Sequence, residues 1–126
     1  MSLLGAMAHP LWGQTLENVT LAKGIKSYNS DQRFGTGVSC FDINGDDWLD
    51  LHVSTAFGEP DHIYLNQKGQ GFKEVADELG LDLRGGSIAS LWLDYDGDRL
   101  VDLLVMNSCH EVVDCDGKTL QLFRQT

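Results

Sequence analysis

Hydrophobic and polar positions alternate along this chain in short bursts, and the clearest bursts break at clusters of Asp, Asn and Gly. Val38-Ser39-Cys40-Phe41 runs into an acidic stretch at 42–50, and Leu49-Asp50-Leu51-His52-Val53 leaves it with apolar residues at every second position. The pattern returns as Leu91-Trp92-Leu93 before a second acidic stretch at 94–102, and as Leu100-Val101-Asp102-Leu103-Leu104-Val105 after it. Short runs rich in Val, Leu and aromatics on both sides of a Gly/Asp turn predict buried β-hairpins. Outer strands are expected at His62–Asn66 and Thr119–Arg124, and a short strand or turn at Leu16–Thr20 and Phe72–Ala76. Brief helical turns should end at Gly24 and Gly80, and Gly/Ser-rich connections should occupy Phe34–Gly37 and Gly85–Ser87.

The bursts belong to a longer repeat. GQTLENVTLAKGI at 13–25 aligns with GQGFKEVADELGL at 69–81, pairing Leu16 with Phe72, Val19 with Val75, Gly24 with Gly80 and Ile25 with Leu81. Past the acidic stretches, IYLNQ at 63–67 corresponds to LFRQ at 122–125, with an insertion near Cys109 in the second copy. The chain therefore reads as a leader or partial strand at 1–12, a first unit at 13–67 and a second at 68–126. A period in this range signals propellers, solenoids or arrays. Three to four strands per unit fit one propeller blade, so the expected fold is all-β, with two antiparallel β-propeller blades. A closed propeller needs typically about four to eight blades, and open sheet edges invite pairing with another chain. Two blades imply either a piece of a longer propeller or a propeller completed by self-association, a homo-oligomer.

The acidic stretches, DINGDDWLD and DYDGDRLVD, lie 52 residues apart and carry the candidate chemistry. Oxygen side chains occupy positions one, three, five and nine: Asp42, Asn44, Asp46 and Asp50, then Asp94, Asp96, Asp98 and Asp102. Alternate spacing lets one tight turn aim several oxygens at a common centre, as a hard cation with about six to eight oxygen ligands requires. Gly45 and Gly97 relieve the backbone where each loop wraps. The backbone carbonyls near position seven, at Trp48 and Leu100, offer a further ligand each. Asp, Asn and Gly also favour turns without any ion, but eight aspartates in two tight loops repel unless neutralised. Two calcium ions, one per loop, are the expectation. An EF-hand is excluded, because it needs flanking helices and a bidentate Glu at position twelve, where this chain has Val53 and Val105.

These motifs together resemble the FG-GAP/VCBS repeats of integrin α-like propellers and of many secreted proteins. The resemblance rests on an F-x-x-V-x-x-x-x-G-L segment (Phe72, Val75, Gly80, Leu81), a D-x-[DN]-x-D-x-x-x-D-L loop (Asp94 to Leu103) and a L-[YF]-x-N strand (Tyr64, Asn66), and spans nearly all of 13–126. It implies calcium at Asp42, Asn44, Asp46, Asp50, Asp94, Asp96, Asp98 and Asp102. It also implies an extracellular, periplasmic or cell-surface module for recognition or adhesion, with a protein or carbohydrate ligand. The chain departs from the pattern at position six of each loop, where Asp47 and Arg99 stand in place of glycine.

Composition narrows the partners. A net charge of −10 supplies no basic stripe for nucleic acid, and no apolar run is long enough for a transmembrane helix. The opening MSLLGAMAHP has too short an apolar stretch for a secretory leader. Cys109 and Cys115 bracket the insertion and read either as a disulfide or as free thiols, with a zinc site including His110 the weaker alternative. Asp114–Gly117 reads as a turn, and Cys40 as a small buried hydrophobe. Ser54, Ser90 and Ser108 lie near His52 and His110 without a recognisable nucleophile arrangement, so no enzyme is expected. The alternatives are a part of a polysaccharide-acting propeller enzyme and a stand-alone oligomeric lectin. Trp48 is expected to be partly exposed, either stacking on a sugar or packing between blades, and Trp92 is expected in the core.

Overall fold

A computed structural model describes residues 15–26, 37–55, 59–81, 83–84, 86–107 and 120–126. The leader at 1–12, most of the Phe34–Gly37 connection, Cys109, Cys115, Ser108, His110 and the Asp114–Gly117 turn lie outside the described residues. Seven strands and one 3-10 turn, Leu21–Lys23, make up the described secondary structure. The strands are β1 (Val38–Phe41), β2 (Asp50–Val53), β3 (His62–Asn66), β4 (Phe72–Glu74), β5 (Ser87–Leu93), β6 (Asp102–Asn107) and β7 (Leu120–Phe123). They form two antiparallel sheets, β1-β2-β3-β4 and β5-β6-β7, each strand beside its neighbour in sequence. The architecture is the all-β one expected, with two sheets compatible with partial propeller blades.

Each acidic stretch connects the first two strands of a sheet, because its Asp and Gly residues can reverse the chain while the alternating flanks pair. Phe41 lies opposite Asp50 across the first loop, and Leu93 opposite Asp102 across the second. The segment Leu16–Thr20 forms no strand; its side of the repeat enters the 3-10 turn directly, which ends at Gly24 in the left-handed region (φ 82°). Phe72–Glu74 is a strand and lies outside β3, so His62–Asn66 is the third strand of its sheet rather than the edge. The hairpin between them turns at Lys68 and Gly69, both at positive φ (53° and 78°), the pair of conformations a tight type I′ turn demands. The repeat boundary at 67/68 therefore falls inside a hairpin, and β4, drawn from the second unit, is laced onto the first sheet.

The core lies between the sheets. Ile63, Val75, Ala76, Leu83, Trp92, Leu103 and Val105 are buried together, flanked by Phe41, Leu65 and Phe123. Burying a Val, Leu or Ile side chain stabilises a fold by roughly 1.5–3 kcal/mol, so this cluster supplies the main cohesion between the two sheets. Strand register decides which side chains join it. Ser39, His52 and Ile63 share one rung facing the second sheet, while Cys40, Leu51 and Tyr64 share the next rung, facing away. Cys40 is therefore exposed, which corrects the expectation of a buried residue: Ser39 and Phe41 are the β1 residues turned inward. Trp92 is in the core as expected.

Candidate metal centre

The two loops are built alike. At position one, Asp42 accepts from the backbone N–H groups of Gly45 (2.8 Å), Asp46 (3.0 Å) and Asp47 (2.8 Å). Asp94 likewise accepts from Gly97 (2.7 Å) and Arg99 (2.9 Å). The chain folds around the first carboxylate this way because the fourth residue, Gly45 or Gly97, takes a positive φ (73° and 79°), open to glycine at little cost. The sixth residues follow into the same region, Asp47 at 67° and Arg99 at 72°. The departures from glycine noted in the sequence thus sit where the backbone turns left-handed.

Position nine pins the loop to the sheet. Asp50 is fully buried and accepts from Ile43 N–H (2.9 Å) and from Asn66 N–H on β3 (2.7 Å). Asp102, also buried, accepts from Tyr95 N–H (3.2 Å) and from Gln125 N–H just after β7 (2.9 Å). Each ninth-position carboxylate thus ties the start of its loop to the third strand of its sheet. Asn66, the asparagine of the L-[YF]-x-N motif, adds a bond from Nδ2 to the Leu49 carbonyl (3.0 Å) and accepts Gly69 N–H (2.8 Å).

The loops differ in the middle. Asp94, Asp96 and Asp102 each offer a carboxylate oxygen, and these three lie within 4.8 Å of one another. Among the described residues this is the one group of three acidic, His or Cys ligands so gathered. Asp98 is not part of it: its Oδ1 accepts Leu100 N–H (2.9 Å) and its Oδ2 meets Arg124 Nη2 (3.1 Å). Arg124 also places Nε 3.0 Å from Asp96 Oδ2. The Leu100 amide, and after it Arg124, hold the Asp98 carboxyl below the usual carboxylate range. In the first loop Asn44 replaces the third-position acid and donates from Nδ2 to Asp46 Oδ2 (3.3 Å), while Asp46 Oδ1 accepts Trp48 N–H (3.0 Å). Trp48 is 40 % exposed, and its indole lies over Gly69 at the β3–β4 turn.

A family model for the FG-GAP-like repeat matches residues 42–105, from the first Asp of the first loop to β6 beyond the second, just over half of the chain. The chain belongs to the FG-GAP-like repeat family. Neither a curated protein nor a solved structure matches it. The FG-GAP-like repeat is a propeller-type module, and the matched span takes in both acidic loops, β2 to β5 and most of β6. No helix among the described residues is long and apolar enough to cross a membrane.

Two features of this FG-GAP-like repeat had no signal in the sequence. Arg124 reaches the second loop from beyond β7, where the aligned position in the first unit is Leu65. Asp61, just before β3, accepts His52 Nε2–H at 3.0 Å and Thr55 N–H at 2.8 Å in the interior. The His52 ring meets Trp92 edge-on, with centroids 5.8 Å apart. His52 and Asp61 are both buried, so the pair braces the sheet interface rather than facing solvent.

Proposed function

We propose that this chain is a calcium-binding repeat module whose ions are structural and whose surface serves extracellular or periplasmic recognition of a protein or carbohydrate. The observation that carries the reading is the convergence of Asp94, Asp96 and Asp102 within 4.8 Å of one another. An all-oxygen donor set of this kind suits a hard cation. In the second loop Asp94, Asp96, Asp98, Asp102 and the Leu100 carbonyl would hold the ion; in the first, Asp42, Asn44, Asp46, Asp50 and the Trp48 carbonyl. A bound dication would neutralise the clustered carboxylates. Because it binds the folded loop and not the unfolded chain, its binding free energy adds to stability. The second loop has an acid at position three where the first has Asn44, and Arg124 pairs with that acid and with Asp98. In this reading the role is non-catalytic, and the His52–Asp61 pair packed against Trp92 in the interior is structural. Trp48, exposed beside the first loop and seated on Gly69, favours the carbohydrate form of the reading, since an aromatic face of this kind can stack on a sugar ring.

The test is calorimetric titration of chelator-treated protein with calcium and with magnesium, alongside the thermal midpoint, for the natural chain and for Asp96→Asn. Heat of binding and a calcium-dependent rise in midpoint that Asp96→Asn weakens support the proposal. No heat and no shift with calcium would leave the loops as acidic turns and remove the reading's foundation.

A further inference from the structure

The internal repeat gives the joint between the two sheets an equivalent set of residues on the outward face of each sheet, open among the described residues. The first sheet meets the second through the rung Ser39, His52, Ile63. The loops align Asp42 with Asp94 and Asp50 with Asp102, and Asn66 and Gln125 make the same bond to the ninth-position acid. By that alignment the equivalent rung in the second sheet is Leu91, Leu104, Leu122. It faces away from the core, with Met106 and Leu120 beside it. Conversely, the second sheet receives the first on Ser90, Trp92, Leu103 and Val105, whose equivalents are Val38, Cys40, Leu51 and Val53. Those four lie on the outward face of the first sheet. One chain thus carries both halves of a head-to-tail joint.

We propose that a second copy of this chain docks the outward face of its second sheet on the outward face of the first sheet, repeating between copies the packing found within one. Inside the chain, Ser39 Oγ bonds Ser90 Oγ at 2.7 Å and the His52 ring meets Trp92. At the equivalent places between copies Leu91 meets Val38, and Leu104 meets Cys40. The polar pairs are thus at the joint already buried, and the apolar pairs are at the one still open. Leu91 is 55 % exposed, Val38 68 % and Leu120 61 %, and a contiguous apolar patch of this kind marks an interaction site. Among the described residues the receiving face is open at Val38 and Cys40 on β1, the strand that touches β5 in the internal joint, while Lys26 N–H donates to the Tyr64 hydroxyl on β3 at 3.3 Å. A heterologous contact of this type closes into a ring when its rotation allows. The proposal does not depend on calcium.

Sedimentation velocity under reducing conditions tests it with three samples besides the natural chain: Leu91→Arg, Val38→Arg, and the two mixed. The natural chain should form assemblies of two or more copies, and each variant alone should be monomeric, since every joint needs both faces. The mixture should give a one-to-one dimer, because each variant keeps the face the other has lost; its formation also shows that both variants are folded. A natural chain that stays monomeric to its solubility limit overturns the proposal. So does a variant that still assembles alone, which would mean a contact between like faces, or an assembling natural chain whose mixed variants do not pair.

Discussion

Asp50→Asn isolates the ninth-position carboxylate from any ion it holds. Both Asp50 oxygens accept backbone N–H groups, at 2.9 Å from Ile43 and 2.7 Å from Asn66, and the side chain is fully buried. Asparagine keeps one acceptor and turns an NH2 toward the other donor, so one bond is lost and one N–H is left without a partner. A hydrogen bond to a charged group contributes roughly 1.5–3 kcal/mol, and an unsatisfied buried group costs about 1–3 kcal/mol. Relief of the buried charge offsets part of that, leaving an expected loss of about 2–3 kcal/mol. Asp102→Asn should cost less, because its bonds are longer, 3.2 Å from Tyr95 and 2.9 Å from Gln125. The assay is urea unfolding followed by circular dichroism with chelator present throughout, so that no ion contributes. A loss of this size moves the midpoint by about 1–2 M at the usual urea slopes. An Asp50→Asn midpoint indistinguishable from the natural chain, or an Asp102→Asn loss larger than that of Asp50→Asn, would refute the view that this acid pins the loop to β3.

Three further outcomes are expected. Asp47→Gly and Arg99→Gly should each stabilise the chain by about 0.5–1 kcal/mol in urea unfolding, because both residues sit at positive φ (67° and 72°) where an L side chain is strained and glycine is not. Burial lowers the His62 pKa below its ordinary 6.5, against the pull of Glu74 at 3.6 Å. The unfolded chain then takes up the proton first, so the His62 contribution is full above about pH 6.5 and is lost as pH falls through the lowered folded value; His62→Gln should flatten that slope in unfolding midpoints measured across the window. Chelator treatment should lower the thermal midpoint while leaving the far-ultraviolet β-sheet signal in place at room temperature.

Much of this architecture was legible in the chain, and the reasons differ by element. β1, β2, β5 and β6 announced themselves as short apolar runs on either side of an Asp/Gly turn. The position of β4 was harder, because three residues carry little periodicity and the repeat boundary falls inside its hairpin. Cys40 faces outward against the expectation of burial because a short strand fixes no phase by itself; the rung through Leu51 and Tyr64 decides it. The loop acids could be found by spacing alone, whereas the donors to them could not. Asn66 and Gln125 reach Asp50 and Asp102 through backbone N–H groups that any residue but proline supplies. Arg124 meets Asp96 and Asp98 only because β7 returns beside β6.

The two loops answer the same repulsion differently. The first replaces an acid with Asn44, whose amide donates to Asp46, so its central side chains carry one charge less. The second keeps all four acids and draws in Arg124 against the two in its middle. In both, the first and ninth acids are already engaged by backbone amides, and those bonds hold the hairpin and its link to the third strand. Positions three and five are the ones the backbone leaves least engaged, and there a neutral amide or Arg124 limits the repulsion. A dication at such a loop adds its binding free energy to a hairpin that the amides have already shaped. That division of labour is why chelation should shift the midpoint without erasing the sheet.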